Sequence, residues 1–288
     1  MAFDELMRTA GELMSHAESV AALGARLRLD EHGASGDPLV RQHLDRVVAV
    51  MGADDLVIGL DDNQRAIAYG IITSTLRQAL DLLEDPARPG AWTYTDTSVL
   101  QSQGSASAQL ASLMAGAGLG KPDARILDVG AGVAALSIAF CRAFPESTVV
   151  GLEPWEPSMT LARRNVSAAG LDGRIDLRAE TIEEYDDRSG FDLMWLPSPF
   201  LRETILDDAI AHAYAMARPG AEVVLGAYGG PEEPLVRALA DLRTARGGGT
   251  PLTAETAMVR LRFGGFVDVR EVERTWNAPI RFFVGRRA

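Results

Sequence analysis

Residues 126–134 read Ile126-Leu127-Asp128-Val129-Gly130-Ala131-Gly132-Val133-Ala134, and this stretch decides the fold. Ile126, Leu127 and Val129 belong to a short apolar run of the kind that forms a strand covered on both faces. Gly130 and Gly132 then permit a turn whose backbone can approach a ligand closely. Helical spacing resumes at once, over Val133–Phe144. About twenty residues beyond the turn, Glu153 closes the next apolar run, where a carboxylate can accept hydrogen bonds from both hydroxyls of a ribose. Strand, glycine turn, helix, strand and terminal acid in this register describe a nucleoside-containing ligand lying across the carboxyl ends of two neighbouring strands.

Two cofactor classes compete for such a turn. A nicotinamide dinucleotide site places its pyrophosphate on the helix N-terminus and shows the spacing G-x-G-x-x-G/A, whose last position Ala135 satisfies. Asp128 argues for the other class, because a carboxylate at the mouth of the turn suits an ammonium or sulfonium group better than a pyrophosphate.

Outward from the turn, short apolar runs alternate with amphipathic segments. Strands are expected at 125–129, 148–153, 175–178, 191–196, 221–227, 266–273 and 280–285, with helices at 133–144, 157–169, 203–217, 234–246 and 253–263. Continuous apolar strands with helical crossovers imply a mostly parallel α/β sheet of seven strands. The last two strands are joined by a segment too short for a helical crossover, so the last one should run in reverse. Residues 1–109 read instead as a helical domain, with 110–288 as the α/β domain. Phe3, Leu6, Met7, Leu13, Met14 and Val20 recur at helical spacing and are expected to pack on other helices. A second helix should start at Asp37-Pro38 and a third should run from Asp62 to Leu83. A polar connector carrying Trp92 and Tyr94 precedes a helix expected from Ser107, and its aromatics are candidates to line a ligand cleft.

Taken together, these residues resemble the class I S-adenosylmethionine-dependent methyltransferases. Asp128-Val129-Gly130-Ala131-Gly132 is similar to their glycine-rich motif, with Ala134 in place of a usual third glycine, and Glu153 is similar to their ribose-binding acid. Glu180 and Thr181 stand where the family presents an acid and a backbone amide to adenine. Ala217-Arg218-Pro219-Gly220-Ala221 and Gly265-Phe266 resemble the turns that open the fifth and sixth strands. The resemblance covers about residues 110–288. It implies a Rossmann-like methyltransferase fold and S-adenosylmethionine as cofactor, held by Asp128, Gly130, Gly132, Glu153, Glu180, Thr181 and Leu196. It also implies that the segment Trp195–Phe200 faces the reactive methyl, so Trp195 and Phe200 join Trp92 and Tyr94 as acceptor-binding candidates.

The expected activity is methyl transfer to a small organic molecule, with oxygen the first choice of acceptor atom. The rivals are a protein that retains the cofactor without methylating, such as a cyclase or scaffold, and a nicotinamide-dependent oxidoreductase. None of the four histidines, His16, His32, His43 and His212, stands in a motif that marks a general base, and no metal site is expected. Proximity and alignment should therefore carry the chemistry.

Composition bounds the partners. Forty acidic against 28 basic residues give a net charge of −12, a field that repels nucleic acid and anionic lipid. The lone cysteine, Cys141, permits no internal disulfide and fits a reducing cytoplasm. No apolar run approaches the ~20 residues of a membrane span. A homodimer is a candidate assembly.

Overall fold

The structure is a computed structural model and describes residues 2–32, 36–229 and 233–288, with the side chains of Glu31 and His32 outside the described part. Contacts divide the chain into two units: residues up to Leu83 with 101–106, and residues 84–100 with 107–288.

The first unit is built from α1 (Ala2–His32), α2 (Pro38–Val50), α3 (Asp54–Ile58) and α4 (Asp62–Glu84). Asp37 caps α2 by accepting hydrogen bonds from the amides of Leu39 and Val40, so the expected start is found. Leu27, Val48 and Val57 form its small core, ringed by Leu23, Tyr69 and Ile72. One expectation fails here. The α1 stripe of Phe3, Leu6, Met7, Leu13, Met14 and Val20 is exposed rather than packed, because the core gathers around the C-terminal part of the helix.

The second unit is an α/β layer structure. β1 (Arg125–Val129), β2 (Thr148–Leu152), β3 (Ile175–Arg178), β4 (Phe191–Pro197), β5 (Ala217–Tyr228), β6 (Val267–Glu271) and β7 (Ile280–Arg286) form one sheet in the order β3-β2-β1-β4-β5-β7-β6. All pairings are parallel except those of β7, which runs against both β5 and β6 as its short connection requires. The order turns back at β1, whose two neighbours are β2 and β4. Loops leaving the carboxyl ends of β1 and β4 diverge there and open a crevice.

α5 (Thr97–Gly116), α6 (Ala135–Ala143) and α7 (Glu156–Ala168) cover one sheet face, burying Met114, Phe140 and Val166 against Ile126, Val149 and Leu193. α8 (Glu203–Met216) and α10 (Ala254–Phe263) cover the other, burying Leu206, Ile210 and Leu261 against Leu127, Val223 and Phe283. α9 (Pro234–Arg246) precedes α10. No described helix is long and apolar enough to cross a membrane.

Two boundaries move from their expected places. α5 starts at Thr97 instead of Ser107, because the Asp96 carboxylate accepts from the amides of Ser98 and Val99 at 2.9 and 3.0 Å and nucleates the helix in a polar stretch. Residues 84–100, expected with the helical domain, consequently pack with the α/β unit. β4 runs through Pro197, pairing Leu196 with Leu225 and Pro197 with Gly226. Trp195, within the strand as expected, is a core residue there. Its ring meets Phe282 edge-on at 5.9 Å and lies over Gly226. Leu196 is wholly buried on the opposite face.

Gly226 makes that arrangement possible, since a Cβ there would lie 2.0 Å from Cη2 of Trp195. Gly226→Ala should lower stability by about 1–3 kcal/mol, the usual cost of overpacking. In urea the midpoint should fall with the slope unchanged. A variant as stable as its parent would mean that Trp195 is not fixed in the core.

Candidate cofactor and acceptor site

The turn after β1 is left-handed three times over, at Gly130 (φ 69°), Gly132 (φ 58°) and Ala134 (φ 62°). The first two are glycines, for which this conformation is free of strain. Ala134 caps α6 in a conformation that costs a non-glycine residue about 1–2 kcal/mol. The substitution of the third glycine therefore keeps the left-handed backbone. A Cβ on Gly132 would meet no protein atom within 4 Å, so the turn faces open space at that point.

Glu153 fastens this turn. One carboxylate oxygen accepts from the Gly132 amide at 2.8 Å and the other from the Trp155 amide at 2.7 Å. The Ala131 amide donates to the Leu152 carbonyl at 2.9 Å, so the β1 and β2 turns are joined twice. Burial pushes the Glu153 carboxyl above its ordinary value, partly opposed by the two amides. A carboxylate has about four lone-pair positions, and two remain for further donors.

Asp128 lies beneath the turn and is buried. Oδ2 accepts from the Ser137 hydroxyl at 2.5 Å, whereas Oδ1 has no protein partner. Burial pushes its carboxyl up to about 7, with the Ser137 hydrogen bond lowering it and the Glu153 charge adding to the rise. A second orphaned group, the buried Ser198 hydroxyl, sits just past β4. They lie on and just past the two strands that flank the point where the strand order reverses.

An aromatic row completes the site. Trp92 and Tyr94 pack with Leu100, Val133, Ala135 and Leu161, which places them against the glycine turn and α6. Trp92 meets Tyr94 at 5.0 Å and Phe200 at 5.2 Å, and Phe200 meets Tyr228 at 6.4 Å, all edge-on. The Trp155 indole donates to the Tyr94 carbonyl at 2.8 Å and ties the row to the end of β2. The expected acceptor residues Trp92, Tyr94 and Phe200 are thus brought together, and Tyr228 and Trp155 extend a set that the sequence reading had not included. Trp155 follows Glu153 by two residues and Tyr228 ends a strand, positions from which each side chain reaches the crevice mouth.

The remaining assignments fare differently. Glu180 and Thr181 lie half-buried in the loop after β3, but the Thr181 amide and hydroxyl both donate to Glu184 at 3.1 Å. That amide is engaged within its own turn. Asp187, in the turn before β4, accepts from Arg125 at 2.6 Å and from the Tyr185 hydroxyl at 3.0 Å. His16 and His43 are exposed and His212 is half-buried on α8. No described histidine hydrogen-bonds to the row. Among the described residues no group of three or more His, Cys, Asp or Glu could hold a metal ion.

Residues 126–220 match the model of a family described as a methyltransferase domain. That segment is thus similar to a methyltransferase domain. A ubiquinone/menaquinone biosynthesis C-methyltransferase from Dinoroseobacter shibae is 28% identical over 102 residues, 35% of this chain and 41% of that protein. The matched segments span less than half the length of the curated relatives. An O-methyltransferase family protein from Burkholderia thailandensis superposes with a TM-score of 0.67 at 16% identity, covering 98% of both chains. Human N-acetylserotonin methyltransferase, solved in complex with SAM, gives 0.68 at 13% identity, again over 98% of both. The matched span 126–220 holds every element of the turn and includes Asp128, Glu153 and Phe200.

These residues fit the cofactor of that family. Glu153 retains acceptor capacity for ribose hydroxyls, Gly132 opens on free space, and the orphaned Asp128 Oδ1 can receive a cationic or donor group.

Asp128 also sets a stability trade. A buried acid whose folded pKa lies near 7 and whose free value is 3.8 binds its proton more tightly when folded. Its contribution to stability is complete below about pH 4, is lost as the pH rises toward 7, and is flat above. Asp128→Asn keeps an acceptor for Ser137 and removes the charge. Its melting temperature should exceed the parent's at pH 8, by about 2–4 °C for each kcal/mol relieved. The difference should shrink toward pH 5, as scanning calorimetry across pH will show. A variant less stable than its parent at pH 8 contradicts a strained Asp128.

Proposed function

We propose that this protein transfers the methyl group of S-adenosylmethionine to an oxygen of a small organic acceptor. The observation that carries the reading is the continuity of the site, from the Glu153-fastened glycine turn through Trp92 and Phe200 to Tyr228. Oxygen is favoured because a structural neighbour that covers nearly the whole chain is an O-methyltransferase family protein, whereas the C-methyltransferase match covers about a third of this chain.

S-adenosylmethionine, when bound, supplies a sulfonium methyl already activated for displacement. Glu153 would hold the ribose hydroxyls and Asp128 the ammonium end. The chain's part in the reaction is then to align an acceptor lone pair and keep water away, effects that reach about 7–11 kcal/mol in well-oriented systems. Rings packed edge-on present apolar faces for a flat acceptor. No described histidine hydrogen-bonds to the row, so the acceptor should react without a dedicated base.

The test uses methyl-labelled S-adenosylmethionine with a panel of phenols and aryl acids. Labelled product supports the reading, whereas cofactor binding without transfer to any acceptor points to the non-methylating rival. Glu153→Ala should weaken binding of S-adenosylhomocysteine by about 1.5–3 kcal/mol, as for a lost charged hydrogen-bond partner. Unchanged affinity by calorimetry removes Glu153 from the site. Separately, His16→Ala, His43→Ala and His212→Ala should each slow transfer by less than about a hundredfold, the lower end of a general base's contribution. A loss of about a thousandfold in one of them, with fold and cofactor affinity intact, identifies a base.

A further inference from the structure

An arginine stands at the far end of the aromatic row. Arg243 is half-buried on α9, and its Cζ lies 5.6 Å from the centroid of the Tyr228 ring. Its Nε is buried with no hydrogen-bond partner, and no described acid pairs with it. The other two arginines of the same helix have partners for their guanidinium groups, although the Arg246 Nε is likewise buried without one. Arg237 bonds to the Leu252 carbonyl and pairs with Asp241, and Arg246 donates to the carbonyls of Asp85 and Arg88.

That contrast matters in a chain with 40 acids to 28 bases, where an acid for Arg243 would have been easy to supply. A partly desolvated guanidinium facing an aromatic ring and no anion is costly unless a ligand completes it.

The helix end holding Arg243 is fixed to the loop after β4. The Thr250 amide donates to the Ser198 carbonyl at 2.9 Å and the Thr250 hydroxyl to the Leu201 carbonyl at 2.7 Å. Gly249 fits so closely that a Cβ there would lie 2.1 Å from the Pro199 carbonyl. Arg243 is therefore held in register with Phe200, the residue at which the row turns from Trp92 toward Tyr228.

We propose that Arg243 recognises an anionic oxygen, carboxylate or phenolate, on a planar aromatic acceptor whose ring lies along Phe200 and Tyr228. The proposal rests on the acceptor role given to the row. It names the class of acceptor, an aromatic acid, and it explains why the row ends in a cation that the protein leaves without an anion. A planar guanidinium suits a carboxylate in bidentate fashion and still stacks on Tyr228.

Two matched pairs of probes test it: 2-naphthoate against 2-naphthamide, and 4-nitrophenolate against 4-nitroanisole. Binding is read by quenching of tryptophan fluorescence on the full chain, with S-adenosylhomocysteine affinity measured in parallel. At least one anion should bind the parent about tenfold or more tightly than its neutral partner, the size expected of a charge-assisted contact. Arg243→Gln should erase that preference while leaving the neutral probe's affinity unchanged, and Arg243→Lys should keep part of it. Equal binding of anion and neutral partner by the parent in both pairs overturns the proposal and needs no variant to be folded. A preference that survives in Arg243→Gln also overturns it. Loss of S-adenosylhomocysteine binding would strike the methyltransferase reading instead, and the anion preference is scored independently of it.

Discussion

The carboxylate of Glu153 accepts the amides of Gly132 and Trp155 and so joins the turn after β1 to the turn after β2. Much of the site depends on that junction. A glycine turn with two glycines in left-handed backbone would be loose by itself, because glycine gives up more freedom on folding than any other residue. Anchoring its amide to a buried acid one strand away fixes the loop without covering its outer side, where Gly132 faces open space. The same junction places Trp155, whose indole holds the Tyr94 carbonyl and thereby the connector that carries Trp92. Cofactor end and acceptor end of the crevice are thus mechanically linked through one carboxylate.

Electrostatics gives the junction its chemical character. Two acids, Asp128 and Glu153, are buried at neighbouring strand ends, and both are pushed toward protonation by burial. Such an arrangement disfavours an anionic pyrophosphate and favours a ligand that brings hydroxyl donors and a positive charge. This is the physical ground for preferring a sulfonium nucleoside to a nicotinamide dinucleotide, although the spacing Gly130, Gly132, Ala135 satisfies both. The cost is borne by the fold, as expected at a functional site, where local preference gives way to the ligand.

Much of this was legible in the sequence. The strand, turn, helix, strand and Glu153 are local features, and the central strands announce themselves by apolar runs such as Leu193–Leu196, whereas β3 and β6 alternate apolar and charged residues. The reversed β7 followed from the length of one connection. The misplaced readings share a cause, which is that tertiary partners decide them. Trp195 falls within the expected strand, but nothing in the sequence says that its ring lies in the core until Gly226 is seen to leave space for it. The polar stretch after Asp96 reads as a linker until the cap is seen to start a helix there. The α1 stripe has the right period for packing, but period alone does not say that a partner exists along its whole length. Tyr228 and Arg243 lie 15 residues apart in the sequence, so no spacing rule would pair them.

The central claim is that the fastened turn receives a sulfonium nucleoside. Its most direct test is isothermal titration of the full chain with S-adenosylhomocysteine and, separately, with NAD at equal concentrations. The account predicts one saturable site for S-adenosylhomocysteine and no heat of binding from NAD. Saturable binding of NAD, with none of S-adenosylhomocysteine, would contradict it.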